Sequence, residues 1–379
     1  MRYLIGPDSF KDSVSANEFC LIAKEVFTKH WPDDEVVYLP LADGGEGTVD
    51  ALVYGQKGEF VTVKVTDPLG HKIDANYGLI DDKKTAIIEM AAASGLPLVS
   101  SDKQNPMVTT TYGTGEMIVD AIKKDVSKII IGIGGSATSD AGLGMLQALG
   151  FQCMDKKGEE VGFGGKALNE VAKIVRPMDA KGDFLFRNID ILVACDVTSP
   201  LYGKEGAAYV YGPQKGATVN MVIELDKGLL NFAKVVQTSL GKDVHSLSGG
   251  GAAGGLGACL YAALDAEVKP GFEIISGLVG LRTILSKGID YIITAEGQMN
   301  EQSFNGKLPV ELAKLGKEFG ANTIAVVGAK DVASERMKQF GIIGVFPIAN
   351  GPITLEQSMM HGKELIKETL VNILSLLHA

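Results

Sequence analysis

Short apolar runs in this chain end repeatedly in polar loops rich in glycine, and helix-forming stretches follow them. Arg2 to Gly6 is such a run and reads as a buried strand that ends in Pro7-Asp8-Ser9. Ser15-Ala16-Asn17-Glu18 has the form of a helix start, with Ser15 as N-cap and the helix running to about Lys29. Glu35 to Leu41 is a second strand, followed by Ala42-Asp43-Gly44-Gly45-Glu46-Gly47 and a helix over Thr48 to Tyr54. Strand, loop and helix in repetition predict a parallel α/β sheet. Open sheets of that kind bind ligands beyond the carboxyl ends of their strands, so the loops are where chemistry is expected.

The pattern changes near residue 60. Phe60 to Val65 alternates, Asp67-Pro68-Leu69-Gly70 is a turn, and Ile73 to Ile80 and Thr85 to Met90 are short strands, all suggesting antiparallel pairing. A helix over Gly115 to Lys124, a strand over Lys128 to Ile133, a helix from about Ala141 to Leu149 and a strand over Ile189 to Cys195 follow. The βα alternation then returns. Strands are predicted over Tyr291 to Thr294, Thr323 to Gly328 and Gly344 to Ile348, with helices over Pro309 to Phe319, Ser334 to Phe340 and Leu355 to Leu377. The expected fold class is α/β in two domains. A Rossmann-like, doubly wound parallel sheet takes residues 1–60 and 289–379, an α+β domain (61–288) is inserted into it, and the active site is expected in the cleft between them.

Charge narrows the partners. Thirty-six Lys+Arg against 46 Asp+Glu give a net charge of −10, which argues against broad gripping of nucleic-acid backbones. A small anion is not excluded, because a few backbone N–H groups and one Lys can hold it. The four cysteines are Cys20, Cys153, Cys195 and Cys259. They form no CxxC pair and read as small buried side chains in a reducing compartment. Met1-Arg2-Tyr3-Leu4-Ile5 shows no charged-then-apolar leader, and no apolar run approaches the ~20 residues a bilayer needs. A soluble, cytoplasmic protein without a membrane partner is the expectation. No two of the five histidines have metal spacing and GxSxG is absent, which argues against a Ser-His-Asp hydrolase.

Several loops have the composition of a ligand site. Ile131-Gly132-Ile133-Gly134-Gly135-Ser136-Ala137-Thr138-Ser139-Asp140 runs from a strand into glycines, hydroxyls and a helix start, a combination that suits phosphate. It is neither a GxxxxGK[ST] loop nor GxGxxG. Gly249-Gly250-Gly251-Ala252-Ala253-Gly254-Gly255 reads equally as a glycine-lined phosphate loop or as a close helix-packing seam. Asp8 and Lys11 follow the first strand, and Asp43, Gly44 and Gly45 the second. Neighbouring parallel strands would bring the two loops together, giving a metal–phosphate site or a general base; either Asp reads equally as a turn or helix cap. Asp196 follows another strand. Glu296, Gln298 and Ser303 are expected just beyond the strand that begins at Tyr291, and Lys307, after an Asn-Gly turn, reads equally as a solvated side chain.

With these stretches in hand, the chain resembles the bacterial glycerate kinase family of the first type. The matching segments are Pro7 to Lys11, Ala42 to Thr48, Tyr112 to Glu116, Gly132 to Gly144, Cys195 to Val197, Tyr211 to Ala217, Gly249 to Gly257 and Thr294 to Gly297. They are ordered along nearly the whole length. The resemblance implies two α/β domains, one Rossmann-like, and phosphorylation of D-glycerate by ATP and Mg²⁺. It implies 2-phosphoglycerate as product; related families give the 3-phospho isomer.

Phosphoryl transfer needs positioning, charge neutralisation and a residue that orients the hydroxyl. On that basis Asp8, Lys11 and Asp196 are the expected catalytic residues, with Asp8 or Asp196 as base. Asp43 and Asp196 are expected at the metal, and Asp43, Gly44, Gly45 and Glu296 at the substrate. Gly134, Gly135, Ser136 and Gly249, Gly250, Gly251 are the expected nucleotide cradles. A homodimer is a further expectation. Two other readings were weighed: a non-catalytic small-anion sensor on the same scaffold, and a dehydrogenase, which would need a GxGxxG that the chain lacks.

Overall fold

At the start of the first helix, Ser15 and Glu18 close a capping box: Ser15 N–H donates to Glu18 Oε2 at 3.0 Å, and Glu18 N–H donates to Ser15 Oγ at 3.2 Å. The helix Ala16–His30 that follows buries Phe19, Ala23, Val26 and Phe27, the spacing of one helical face. The computed structural model describes residues 1–304 and 306–379, apart from the Ser334 side chain. Its first strands are β1 (Arg2–Pro7), β2 (Glu35–Tyr38), β3 (Glu59–Thr66), β4 (Lys72–Ile80), β5 (Thr85–Glu89) and β6 (Lys128–Gly132). They are followed by β7 (Gln152–Met154), β8 (Lys173–Val175), β9 (Asp190–Ala194), β10 (Glu267–Lys269), β11 (Tyr291–Met299), β12 (Asn322–Lys330) and β13 (Ile342–Pro347).

The chain packs as two units. The first comprises Met1–Asp43, Asp50–Lys57 and Phe272–Ala379; the second comprises Gly44–Val49 and Gly58–Gly271. The first unit holds a five-stranded sheet in the order β13-β12-β11-β1-β2, parallel at every pairing. From β1 the chain runs through Ala16–His30 to β2 on one side. From β11 it runs through the helix Leu308–Glu318 to β12, and through Ser334–Gln339 to β13, on the other side. The strand order therefore reverses between β1 and β11, the topological switch point of a doubly wound sheet.

The last helix, expected as one piece, is two: Leu355–Met360 and Gly362–Leu377. Ser13 Oγ donates to the Met359 carbonyl at 2.9 Å, giving the first piece a side-chain partner where it ends.

The second unit holds a six-stranded sheet in the order β10-β9-β6-β5-β4-β3. The expected antiparallel pairing holds for β3–β4 and β4–β5. The remaining pairings, β5–β6, β6–β9 and β9–β10, are parallel, so the sheet is mixed. The reason lies in the helix Tyr112–Lys123, which connects β5 to β6 as a crossover and forces parallel pairing. The strand cores Ile129 to Ile131 and Ile191 to Val193 carry the continuous apolar runs of a two-face-buried sheet. The 22-residue helix Val219–Leu240, not anticipated from sequence, buries Val222, Leu225, Leu229, Phe232 and Val236.

All four cysteines are free. Among the described residues no helix is long and apolar enough to cross a membrane.

Candidate active site

In the first unit the candidate residues meet at the switch point. Asp8 is the first residue beyond β1, and its N–H donates to the carbonyl of Ala295 on β11 at 2.9 Å. Glu296 is the next residue of β11. The sequence expectation placed Glu296 beyond its strand; the strand in fact continues to Met299, because β12 pairs with it as far as Met299↔Lys330. Beyond β2 the chain stays extended beside β1, with Leu41 N–H donating to the Pro7 carbonyl at 3.1 Å. That delivers Asp43 to the same end of the sheet. Lys307, at the N-cap of Leu308–Glu318, pairs its Nζ with Asp43 Oδ2 at 2.7 Å. The Asn-Gly turn expected before it includes residue 305, which lies outside the described residues. Ser303 Oγ donates to Glu296 Oε1 at 2.9 Å.

Burial, and then neighbouring charges, shift Asp8, Glu296 and Lys307 here. Burial, and then the Asp43 charge, push the Asp8 carboxyl up to about 8, against the opposing Ser9 N–H and Lys307. Burial pushes Glu296 to about 7, against the Ser303 hydrogen bond and Lys307. Burial pulls Lys307 down, but Asp43, then Asp8 and Glu296, outweigh it and hold the ammonium above its usual value. Perturbed groups that share a crevice are a mark of functional sites. Lys11 is exposed and joins no ion pair among the described residues, so Lys307 is the cation that this cluster contains. Sequence reasoning had left Lys307 undecided; its position just before Leu308-Pro309, a helix start, was the signal available.

In the second unit the other candidates converge around Gly44. Gly44 has φ +91°, and a Cβ there would lie 2.6 Å from Ala194 Cβ and 3.1 Å from Gly271 Cα, so only glycine fits. Gly45 adjoins Gly134, whose added Cβ would sit 3.5 Å from Gly45 Cα. Asp196, two residues beyond β9, is exposed and accepts the Gly271 N–H on Oδ1 at 2.9 Å. Gly134 and Gly135 are exposed while Ser136 is buried. Among the described residues, the N–H groups of Gly134, Gly135 and Ser136 donate to no protein acceptor. This loop therefore has the donors an anion requires.

The Gly249–Gly251 loop has another reason for its composition. All three residues are buried. A Cβ on Gly251 would meet the Pro200 carbonyl oxygen at 2.2 Å, and one on Gly249 would meet Cys195 Sγ and the Val197 carbonyl oxygen at 3.1 Å. Downstream, Gly254 at φ +69° lies against the Thr138 carbonyl oxygen at 2.2 Å from an added Cβ. Close approach of the loop carbonyls of Pro200, Val197 and Thr138, rather than the expected helix, accounts for these glycines. Asp140 is fully buried and accepts four hydrogen bonds from Thr111, Gly142 and Gly144, so it organises the loop from within.

Among the described residues no group of three or more His, Cys, Asp or Glu side chains is placed to hold a metal ion. That excludes an all-protein cage within the described residues.

Comparison with known proteins gives a consistent result. The family model described as "Glycerate kinase family" matches residues 3–378. A glycerate kinase of Halalkalibacterium halodurans is 43% identical over 370 residues, covering 98% of this chain and 96% of that protein. A glycerate 2-kinase of Escherichia coli is 44% identical over 359 residues, covering 94% of this chain and 93% of that protein. A solved structure from Salmonella typhimurium LT2, assigned as a glycerate kinase 2, superposes with a TM-score of 0.88 at 43% identity, covering 100% of this chain and 98% of that one.

Proposed function

The chain belongs to the glycerate kinase family, and from that premise we propose that it transfers the γ-phosphoryl group of ATP to D-glycerate, giving 2-phosphoglycerate. The observation that carries the reading is the switch-point cluster, in which Asp8, Glu296 and Lys307 have shifted pKa values and Lys307 pairs with Asp43.

Asp8 is the general base. Its raised pKa makes the ionised carboxylate a better proton acceptor than an ordinary one, which is what removal of a hydroxyl proton requires. Lys307 reads the glycerate carboxylate, and exposed Lys11 supplies a second cation for phosphate. Glu296, held by Ser303, accepts from a glycerate hydroxyl. Gly134, Gly135 and Ser136 offer their N–H groups to nucleotide phosphate, with Gly44 and Gly45 beside them. Mg²⁺ would be held by Asp43 or Asp196 together with phosphate oxygens, and it would neutralise triphosphate charge. We also propose a cytoplasmic location and a homodimer, the latter checked by light scattering.

The test is ADP release from MgATP with D-glycerate, glycerol or no acceptor. Turnover on D-glycerate with glycerol far slower is expected, because glycerol lacks the carboxylate. Comparable rates on both would refute carboxylate recognition.

A further inference from the structure

Lys215 is the third residue of a 3-10 turn, Pro213–Lys215. Gly216 after it has φ +88°, and a Cβ there would meet the Gln104 carbonyl oxygen at 2.3 Å, so the turn has one available path. That path carries the lysine side chain inward, leaving Lys215 2% exposed. Its Nζ donates to the Thr138 carbonyl at 2.6 Å and lies 3.5 Å from Ser136 Oγ. Both partners belong to the loop whose three successive N–H groups lack a protein acceptor.

Among the described residues no carboxylate forms an ion pair with Lys215. The charged group that acts on it is Asp140, whose oxygens already take four hydrogen bonds. Burying an ammonium without a paired carboxylate is costly. Burial lowers its pKa to about 8, with Asp140 opposing the fall. A tie to the Thr138 carbonyl needs a donor and not a charge, so a purely structural role leaves the cation without a reason. A bound anion supplies the reason. Three N–H donors on this loop, with a buried ammonium bonded to its Thr138 carbonyl, concentrate positive charge where an anion would sit.

We propose that Lys215 charges an anion site formed by the N–H groups of Gly134, Gly135 and Ser136, and that this site holds a phosphoryl group of the nucleotide. The proposal rests on the kinase reading given above. Lys215 is a positioning residue in it, acting through the loop.

The test is calorimetric titration of the full-length protein with MgADP at about pH 7 and about pH 9.5. The wild type should bind about tenfold more weakly at the higher pH, as the ammonium loses its proton. Lys215→Met should bind about tenfold more weakly than wild type at the lower pH and show no pH dependence. Lys215→Arg, whose charge does not titrate in this range, should retain affinity at both. Wild-type affinity that is flat with pH, a measurement that needs no variant, overturns the proposal. So does Lys215→Met with wild-type affinity. A pH dependence seen with 2-phosphoglycerate and not with ADP overturns the assignment to the nucleotide. Wild type that turns over glycerate but binds ADP independently of pH defeats the role of Lys215 alone. Wild type that binds ADP as expected yet never phosphorylates glycerate defeats the reaction and leaves the anion site standing.

Discussion

Asp8, the residue after β1, lies in register with Glu296 on the neighbouring parallel strand β11: the Asp8 N–H donates to the carbonyl of Ala295, the residue before Glu296, at 2.9 Å. One backbone hydrogen bond thus sets two carboxylates side by side at the point where the strand order reverses. Burial raises the pKa of both carboxyls, and Lys307, held by its pair with Asp43, opposes the rise.

The first prediction concerns Asp8. Its folded-state pKa of about 8 lies above the ordinary carboxyl value of 3.8, so the folded chain binds more protons between those values. The stability it contributes is complete below the unfolded value and is lost as pH rises through about 8. Asp8→Asn should therefore melt higher than wild type near pH 8 and above, by scanning calorimetry, with the difference shrinking in acid. Its kcat should fall at least about 10²-fold. An unchanged kcat would remove Asp8 as base.

The second separates two lysines. Lys307→Met removes the cation paired with Asp43. It should raise the glycerate KM about 10- to 100-fold, the range for a hydrogen bond to a charged group. Lys11→Met should leave the glycerate KM within about threefold, since Lys11 is exposed and outside the ion pair. The reverse order of effects would transfer carboxylate recognition to Lys11.

Asp196→Asn supplies the third. Asparagine keeps an oxygen for the Gly271 N–H that Asp196 accepts, so folding should be retained by circular dichroism. A fall in kcat of at least about 10²-fold is expected. Wild-type turnover in the folded variant would exclude Asp196 as base or essential metal ligand.

A fourth prediction tests packing. Gly44→Ala sets a methyl 2.6 Å from Ala194 Cβ at a backbone φ of +91°. Overpacking and left-handed strain together should cost about 2–4 kcal/mol, read as an earlier urea transition. An unshifted midpoint would show that the loop moves aside freely.

Much of this site was legible as strand ends. Asp8 and Asp43 follow apolar runs, and the parallel sheet carries them to one edge. Glu296 was misplaced because Gly297 and Gln298 do not look like strand residues; pairing with β12 overrides their propensity. Lys307 is 264 residues from Asp43, and no local pattern reports a contact at that separation. The Gly249–Gly251 ambiguity was physical, since glycine admits a ligand or a backbone equally well, and only the positions of Pro200 and Val197 decide it. Lys215 lay in a recognised stretch, but its burial depends on Gly216 and Gln104 meeting far apart in sequence.

The central claim is that this chain phosphorylates D-glycerate at the 2-hydroxyl. Phosphorus and carbon NMR of the product formed from ATP and D-glycerate tests it most directly. The account predicts a phosphomonoester coupled to C2, formed in step with ADP. Phosphorus coupled to C3, or ATP left intact beside unmodified glycerate, would contradict it.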